Sequence, residues 1–390
     1  MNDKQLNILD LFCGTGALSY GLTHSNSSFQ VVGGIDLNRS ASETAAANHP
    51  GAKIFCDDIN NFTAQQMADK IGISRIDLIV GGPPCQGFSS IRPSRGQGLQ
   101  DPRNFLYKKF VDYVSTLRPT VFLMENVVGI IGANGGELLN SIIMSFNEIG
   151  YDVDWRVLNA ANYGVPQKRE RFFMLGVKRS AVSSSVLIFP DPTHRFSGRV
   201  IGTRIKEKYI QNPTNGLSAV TLWDALSDLP RLRSGEESER YAHAPLNSYQ
   251  LMRRMNAPKQ LRLHQAANHS AKMLEVIRHS GSSKSCLPEG LVTSGYSSCY
   301  SRLEKEEPAT TITVKFTSPA SSKCIHPVDD RAITPREAAR LQSFDDSFLF
   351  RGSKTDIASQ IGNAVPPVLS SAFSGVISEI LASKVAVEEI

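Results

Sequence analysis

The sequence lacks the features that mark membrane and secreted proteins. It contains no run that approaches the roughly 18 uninterrupted apolar residues of a membrane-spanning helix. Its first residues, MNDKQLNILDLFCG, include no basic stretch followed by an apolar one, so we expect no secretory signal. We therefore expect a soluble, cytoplasmic protein that does not act at a membrane. The 41% of hydrophobic residues also excludes wholesale disorder.

Cysteine is scarce and scattered along the chain. The six cysteines include no CxxC pair, and no Cys/His cluster has the spacing of a zinc site. We therefore expect neither a metal site nor a disulfide framework. Most of these cysteines are expected to be small buried side chains, and Cys85 is the exception argued below.

The net charge of +5 is too small to define a class of partner, but its location is informative. Residues 186–308 hold 17 Lys and Arg against 12 Asp and Glu, whereas the remainder holds 25 of each. The positive excess therefore lies in one internal segment, which favours a face that binds phosphates. Arg253, Arg254, Arg262 and His264 form a candidate basic cluster there, with a solvated helix face as the equally good alternative.

The first half of the chain alternates short apolar runs with helical stretches. This alternation predicts an α/β fold with a doubly wound, mostly parallel sheet. Arg171–Val177 is predicted as a further strand, with an antiparallel edge as its candidate position. The predicted strands are Leu6–Phe12, Val31–Asp36, Ile76–Val80 and Val121–Glu125, and the predicted helices include Ala41–Asn48 and Asn104–Leu117.

The pattern changes after about residue 185, where prolines and the polar run SGEESER interrupt it. We predict a first domain over 1–185, a smaller irregular domain over 186–345 and a C-terminal segment over 346–390. TTITVKF (310–316) is predicted as an isolated strand in the second domain. The apolar residues after Pro367 follow helical spacing, so the C-terminal segment is expected to pack back onto the first sheet.

The run DLFCGTGA (10–17) predicts a strand that enters a glycine-rich turn and then a helix. Gly14 and Gly16 would let the backbone approach a ligand closely at the helix N-terminus. The run lacks the third glycine of the dinucleotide fingerprint, because Ser19 occupies that place.

Two further acids follow the next predicted strands. Asp36 ends one strand, where a carboxylate can accept hydrogen bonds from ribose hydroxyls, and Asp58 could bind an adenine amino group. Each acid alone is as well explained as a helix cap or loop residue. Together with the turn they favour an adenosine-containing ligand, and a nicotinamide cofactor stays open at this point.

The run GGPPCQGFS (81–89) follows a predicted buried strand, at the sheet edge where α/β enzymes bind ligands. Two prolines fix the backbone before Cys85, and Gly87, Gly96 and Gly98 free it afterwards. This pattern suits a nucleophilic thiol covered by a moving lid. The alternative is a structural cysteine in a tight turn.

Charged side chains cluster after the following strands. Glu125 ends a strand in LMENV, where a buried carboxyl group with a raised pKa can exchange a proton with a ring nitrogen or an amine. Gln167, Arg169 and Arg171 alternate in QKRER, so they are predicted to share one strand face. Basic surface decoration remains the alternative for the two arginines.

Taken together, these runs resemble the cytosine-5 DNA methyltransferase family, in its stand-alone restriction–modification form. The resemblance covers about 1–180 and 310–390, and the family places its variable target-recognition domain between them. The matching runs, in the family's order, are DLFCGTG, GGPPCQGFS, ENV, YGVPQKRERF, RAITPREAARLQSF and QIGNAVPP.

The resemblance implies transfer of a methyl group from S-adenosylmethionine to carbon 5 of cytosine in a short sequence of double-stranded DNA. The Cys85 thiolate would attack carbon 6 of a flipped-out base. Glu125 would contact N3 and the exocyclic amine, Arg171 the O2 side, and Arg169 would hold Glu125 or a phosphate. A lid of roughly Phe88–Arg103 would close over the base.

The resemblance also assigns binding residues. Phe12 would stack on adenine, Asp36 would hold the ribose, and Asp58 would bind the adenine amine. The remaining implied residues are Gly14, Gly16, Pro83 and Asn363 for the cofactor and Gln86, Ser89, Gln167 and Thr311 for the substrate, with no metal.

The departures from the family pattern are mild. Asp36 replaces the commoner glutamate, Cys13 stands where a smaller residue is usual, and SFDDSF replaces a proline-containing run. The nearest alternative activity is cytosine-5 methylation of transfer RNA, and the basic segment 186–308 favours DNA. A silent binding protein would not need Cys85, and Ser19 argues against a dehydrogenase. We expect a monomer that needs no protein partner.

Overall fold

The computed structural model describes residues 5–84, 106–181, 188–196, 213, 215–293 and 295–383. Its strands are β1 (Leu6–Leu11), β2 (Phe29–Asp36), β3 (Lys53–Cys56), β4 (Leu78–Gly81), β5 (Val121–Asn126), β6 (Tyr151–Asn159), β7 (Gln167–Lys168), β8 (Glu170–Lys178), β9 (His194–Arg195), β10 (Leu217–Ser218) and β11 (Ala309–Thr310).

Seven of these strands form one central sheet in the order β3-β2-β1-β4-β5-β8-β6. The five strands from β3 to β5 run parallel to one another, and β8 is antiparallel to both of its neighbours. The predicted α/β class and mostly parallel sheet are therefore confirmed. The order reverses at β1, so the sheet has a topological switch point between β1 and β4.

Most of the helices begin at side-chain caps that the sequence supplies. Thr63, Thr334 and Ser353 each form a capping box with the residue three positions later. The helices are α1 (Ala17–Ser25), α2 (Arg39–Asn48), α3 (Ala64–Ile71), α4 (Leu106–Leu117), α5 (Glu137–Glu148), α6 (Leu222–Leu226), α7 (Ser248–Arg254), α8 (Ala271–Arg278), α9 (Pro335–Leu341), α10 (Lys354–Asn363), α11 (Pro367–Ser371) and α12 (Phe373–Ser383).

Two apolar cores cover the two faces of the sheet. One contains side chains from α1, α11 and α12, including Leu22, Leu369 and Phe373. The other contains side chains from α3, α4 and α5. Helices on both faces leave the sheet edges, where the strands end, as the place for polar groups.

The predicted edge position of Arg171–Val177 is wrong, although its antiparallel direction is right. β8 lies between β5 and β6, and β6 is the edge strand. The sequence of β6, YDVDWRVLN, alternates charged and apolar residues. This pattern fits a strand with one face toward solvent, and its charges concealed it from a search for apolar runs.

The predicted strand TTITVKF is also not a strand. Only Ala309–Thr310 pairs, as β11, with β7. Beyond it, the Thr311 hydroxyl donates to the Lys168 carbonyl, and the Ile312 amide donates to the Gln167 side chain. Residues 311 and 312 thus bond a backbone carbonyl and a side chain of β7 and do not continue the strand pairing.

A third core gathers α1, α6 and the segments from residue 332 to 364. Within it lies a cluster of charges that we call the arginine network, formed by Asp228, Arg336, Arg340 and Asp346. Arg340 donates to both Asp346 oxygens, at 2.6 and 2.7 Å, and to Asp228 at 3.1 Å. The domain boundaries stay a prediction, since this core joins all three segments.

The candidate basic cluster is not one exposed face. Arg253 pairs with Asp345 at 3.1 Å, and Arg254 pairs with Asp228 at 2.9 Å. His264 is buried and bonds Thr334 and Pro230, whereas Arg262 is exposed. Most of this charge therefore serves internal contacts.

No single helix in the described ranges is long and apolar enough to cross a membrane. One bent pair, Lys354–Ser371 with Phe373–Ser383, meets the length and composition criteria. Its apolar residues Leu369, Phe373 and Ile377 are buried against the sheet.

Candidate active site

The carboxyl ends of β1, β4 and β5 meet at one edge of the sheet. Leu11 pairs with Gly81, and Gly81 pairs with Met124, so the residues that follow each strand lie side by side. Gly81 permits this approach, because a Cβ there would lie 2.1 Å from the Leu11 carbonyl oxygen. This edge is the place where ligands bind in doubly wound sheets.

The segment after β1, Phe12–Gly16, forms a tight turn that we call the cofactor turn. Phe12, Gly14 and Gly16 all have left-handed φ values, of 55°, 53° and 73°. The Gly14 amide donates to the Asp36 carboxylate at 2.8 Å. The space that a Cβ on Gly14 would enter is open, so this side of the turn can accept a ligand against the backbone.

The two acids beside the turn differ in how they are bonded. Asp36 is half-buried and accepts from the Gly14 and Asn38 amides, and burial raises the pKa of its carboxyl group. Asp58 caps the short helix Ile59–Asn61 and accepts twice from Asn60. The helix-cap explanation therefore holds for Asp58, with its Oδ1 atom serving both bonds.

Sequence reasoning treated Ser19 only as a missing glycine. Its hydroxyl donates to the buried Asp10 carboxylate at 2.5 Å. Burial raises the pKa of Asp10 to about 7, against the effect of that hydrogen bond. The signal in the sequence was the pair Asp10 and Ser19, which lie nine positions apart at the two ends of the segment that includes the cofactor turn.

Glu125 and Arg171 form an ion pair where β5 ends and β8 begins. Arg171 Nε lies 3.1 Å from Glu125 Oε1, and the two side chains are 16% and 13% exposed. Burial raises the pKa of Glu125, although Arg171 and Arg169 oppose it. The pair is thus largely, but not completely, removed from water.

Gln167 and Arg169 are both buried and form hydrogen bonds with later segments of the chain. Gln167 is fully buried, and it bonds Leu341, Gln342 and Ile312. Arg169 is 1% exposed and donates to the Ile312 and Gly362 carbonyls, at 3.1 and 2.9 Å. Both side chains therefore fasten later segments to the sheet. The roles of Arg169 beside Glu125 or a phosphate, and of Gln167 at the substrate, stay predictions; the charge of Arg169 does lower the pKa of Glu125.

The other predicted residues fall in three places. Pro83 is buried just beyond β4, Thr311 lies half-buried against β7, and Asn363 is exposed at the end of α10. Asn126, which sequence reasoning passed over within ENV, donates to the Pro83 carbonyl at 2.8 Å. It ties β5 to the segment that leads to Cys85. Cys85, Gln86, Ser89 and the predicted lid at 88–103 lie outside the described residues.

The edge of the sheet therefore carries a glycine turn with an acid beside it and, two strands away, a buried carboxylate–guanidinium pair. Comparisons with known proteins agree with that arrangement. A family model described as C-5 cytosine-specific DNA methylase matches residues 6–379. The chain belongs to this family and is a cytosine-5 DNA methyltransferase.

Curated relatives match along nearly the whole chain. Type II methyltransferase M1.HphI of Haemophilus parahaemolyticus is 32% identical over 95% of this chain and 86% of its own length. Type II methyltransferase M.DdeI of Desulfomicrobium norvegicum is 32% identical over 96% of this chain and 88% of its own. The family thus includes restriction–modification methyltransferases among the relatives of this chain.

Solved structures share the fold. A protein described as a DNA modification methyltransferase encoded within a prophage (E. coli) superposes with a TM-score of 0.74 at 27% identity, over 97% of this chain and 100% of its own. Spodoptera frugiperda DNMT2 superposes with a TM-score of 0.62 at 16% identity, over 96% of this chain and 100% of its own, and shows the fold alone.

Proposed function

We propose that this enzyme transfers the methyl group of S-adenosylmethionine to carbon 5 of cytosine within a specific short sequence of double-stranded DNA. The observation that carries the proposal is the Glu125–Arg171 pair, held at 3.1 Å beside the strand end that leads to Cys85. The chemistry of cytosine explains why both groups are needed there.

Carbon 5 of cytosine is a weak nucleophile, so the ring must first be activated. Attack of the Cys85 thiolate on carbon 6 forms a carbon–sulfur bond and moves an electron pair toward carbon 5, N3 and O2. Glu125, with its raised pKa, supplies a proton or hydrogen bond to N3 as that charge develops. Arg171 directs guanidinium N–H groups to O2. Carbon 5 would then take the methyl group as the carbon–sulfur bond of the cofactor's sulfonium breaks. Loss of the carbon 5 proton to water would expel the Cys85 thiolate and restore the ring.

The cofactor turn and its neighbours fit an adenosine-containing cofactor. Gly14 leaves open space for a ligand, and Asp36 retains free lone pairs beside its two backbone bonds for ribose hydroxyls. Phe12 offers a half-buried ring, and Asp58 keeps Oδ2 for an adenine amine. S-adenosylmethionine supplies an electrophilic methyl group when it is bound there. We assign Pro83 and Asn363 to the same pocket.

The target cytosine must flip out of the duplex before it reacts, because the neighbouring bases cover both faces of a stacked cytosine. We assign target recognition to residues 186–345 and base contacts to Gln86, Ser89 and Thr311. The enzyme is proposed to act as a monomer in the cytoplasm, since one chain carries both the catalytic residues and a recognition segment.

The test is expression in a bacterial host that lacks cytosine methylation, followed by base-resolution mapping of 5-methylcytosine in host DNA. We expect methylation confined to one short sequence. Cys85→Ser should abolish it, and Glu125→Gln should reduce it strongly. Glu148→Gln, on the exposed end of α5, is the matched control and should methylate as the wild type does.

Two outcomes would contradict the proposal. Unmodified DNA from cells that hold folded, S-adenosylmethionine-binding protein would argue against a DNA substrate, and transfer RNA would then be assayed. Full activity of Cys85→Ser would remove the covalent mechanism while leaving the methyl transfer.

A further inference from the structure

Helix α2 contacts the cofactor turn at both of its ends. The residue that ends β2 just before the helix, Asp36, accepts from the Gly14 amide at 2.8 Å. The residue that ends the helix, His49, places Nε2 3.0 Å from the Gly16 carbonyl oxygen. Thus the two glycines of the turn are tied, one by its N–H and one by its carbonyl, to residues that flank the same helix.

The geometry at His49 favours the tautomer with its hydrogen on Nε2. The Gly16 carbonyl can only accept, so His49 Nε2 must carry the hydrogen. Burial lowers the pKa of His49 to about 4, so the ring is neutral at physiological pH and has this one N–H. The ring is 6% exposed, and a Cβ on Gly16 would lie 2.6 Å from Nε2. His49 therefore packs directly against the turn at Gly16, whereas the space at Gly14 is open.

A second contact holds the imidazole in place. Ser19 Oγ lies 3.3 Å from His49 Nε2 and donates its proton to Asp10 at 2.5 Å. Asp10, Ser19 and His49 thus form a buried chain of polar groups behind the turn. Such a chain has to be satisfied internally, because water does not reach it.

We propose that His49 is a positioning residue for the cofactor: its Nε2–H holds the Gly16 carbonyl and thereby keeps the cofactor turn in its binding conformation. This inference rests on the proposed function, since it concerns the affinity for S-adenosylmethionine. His49 touches no reacting atom, so its removal should raise the dissociation constant of the cofactor and leave kcat at saturating cofactor unchanged.

Two substitutions separate hydrogen bonding from packing. His49→Phe keeps an aromatic ring and removes the donor, whereas His49→Gln keeps an N–H donor at similar reach. We expect His49→Phe to raise the dissociation constant of S-adenosylhomocysteine, measured by calorimetry, by about five- to tenfold, the effect of one net hydrogen bond. His49→Gln should stay within about twofold of the wild type. His24→Phe, in the last turn of α1, is the control and should bind as the wild type does.

The results that overturn the inference are clear. Wild-type affinity in His49→Phe would show that the donor is not needed. Equal weakening in His49→Phe and His49→Gln would show that ring packing alone matters. A wild-type protein that fails to bind S-adenosylhomocysteine would overturn the proposed function and this inference with it.

Nitrogen NMR of the wild-type histidines tests the bond without cofactor and without any variant that has to fold. We expect His49 to carry its proton on Nε2. A proton on Nδ1 with a bare Nε2 would overturn the positioning role even if the cofactor binds.

Discussion

The active-site pair Glu125–Arg171 and the Asp346–Arg340 pair of the arginine network consist of the same chemical groups, but the pKa of the carboxyl group is shifted in opposite directions. Both consist of a carboxylate and a guanidinium removed from bulk water. Yet burial raises the pKa of Glu125, whereas hydrogen bonds and cations hold the pKa of Asp346 below its usual range.

The cause is the number of donors that each carboxylate receives. Asp346 accepts from Arg340 twice, from Arg336 at 3.2 Å and from the Tyr241 hydroxyl at 2.7 Å. Glu125 has Arg171 as its ion-pair partner among the described residues. Desolvation disfavours a carboxylate unless enough donors replace the lost water. Asp346, whose oxygens accept several hydrogen bonds, thus stabilises the fold. Glu125 receives fewer donors and can still bond a substrate.

The largest expected effect comes from Glu125→Gln. The amide keeps the shape of the side chain but cannot supply a proton, so kcat should fall by about 10²- to 10⁴-fold. The free energy of unfolding should change little, because the carboxylate is already undersaturated. Methyl incorporation into DNA and urea denaturation measure the two quantities. A large loss of stability with near-normal turnover would reverse the comparison.

Arg340→Met should show the opposite behaviour. It leaves Asp346 and Asp228 buried without their main partner, which costs about 3–5 kcal/mol of folding free energy. Urea denaturation measures this loss directly. The cofactor affinity of the fraction that remains folded should be unchanged. A stability within about 0.5 kcal/mol of the wild type would mean that the network contributes nothing net.

Asp10 tests whether donor count sets the pKa, because it is buried with Ser19 as its side-chain donor and its pKa is raised to about 7. The folded state keeps the proton that the unfolded state has lost, so Asp10 lowers stability as pH rises from about 4 to about 7. Asp10→Asn removes this dependence. Its stability relative to the wild type should therefore increase by up to about 1.4 kcal/mol per pH unit in that window and level off above it. Denaturation curves that stay parallel across this pH range would contradict the assignment.

Tyr241→Phe should have the smallest effect. It removes one of several donors to Asp346 and leaves the ion pairs in place. We expect a loss of about 1.5 kcal/mol, the low end for a hydrogen bond to a charged group. Thermal denaturation of Tyr241→Phe and of Arg340→Met, measured side by side, compares the stability lost with one hydrogen bond and with the central arginine. A loss as large as that of Arg340→Met would show that the network is not saturated.

Much of the fold could be predicted because most of the parallel strands are largely buried and rich in apolar residues. The strands that begin at Leu6 and Val121 are examples. β6 escaped because an edge strand alternates charged and apolar residues. TTITVKF misled because β-branched residues favour strands, whereas hydrogen bonds to Lys168 and Gln167 decide the conformation.

The candidate site could be predicted only in part. The sequence shows which residues lie at strand ends, but it does not show which side chains contact each other there. Glu125 and Arg171 meet because their strands are adjacent, which the predicted edge position of Arg171–Val177 did not show. Alternation alone could not separate Arg171 from Arg169, since the partners of Arg169 are carbonyls at Ile312 and Gly362, more than 140 positions later. His49 carried no motif, and only the packing of α2 against the turn revealed it.

The packing of α11 and α12 onto the first sheet has a consequence for how the protein is made. β1 leaves the ribosome early, but the side chains that cover one face of its sheet, such as Leu369 and Phe373, are synthesised some 350 residues later. At about 5–20 residues per second that interval is roughly 20–70 s. During it, α1 covers part of that apolar face, and the part that α11 and α12 will cover stays open. Synthesis of α11 and α12, rather than synthesis of the first half, therefore sets when this enzyme can complete its core.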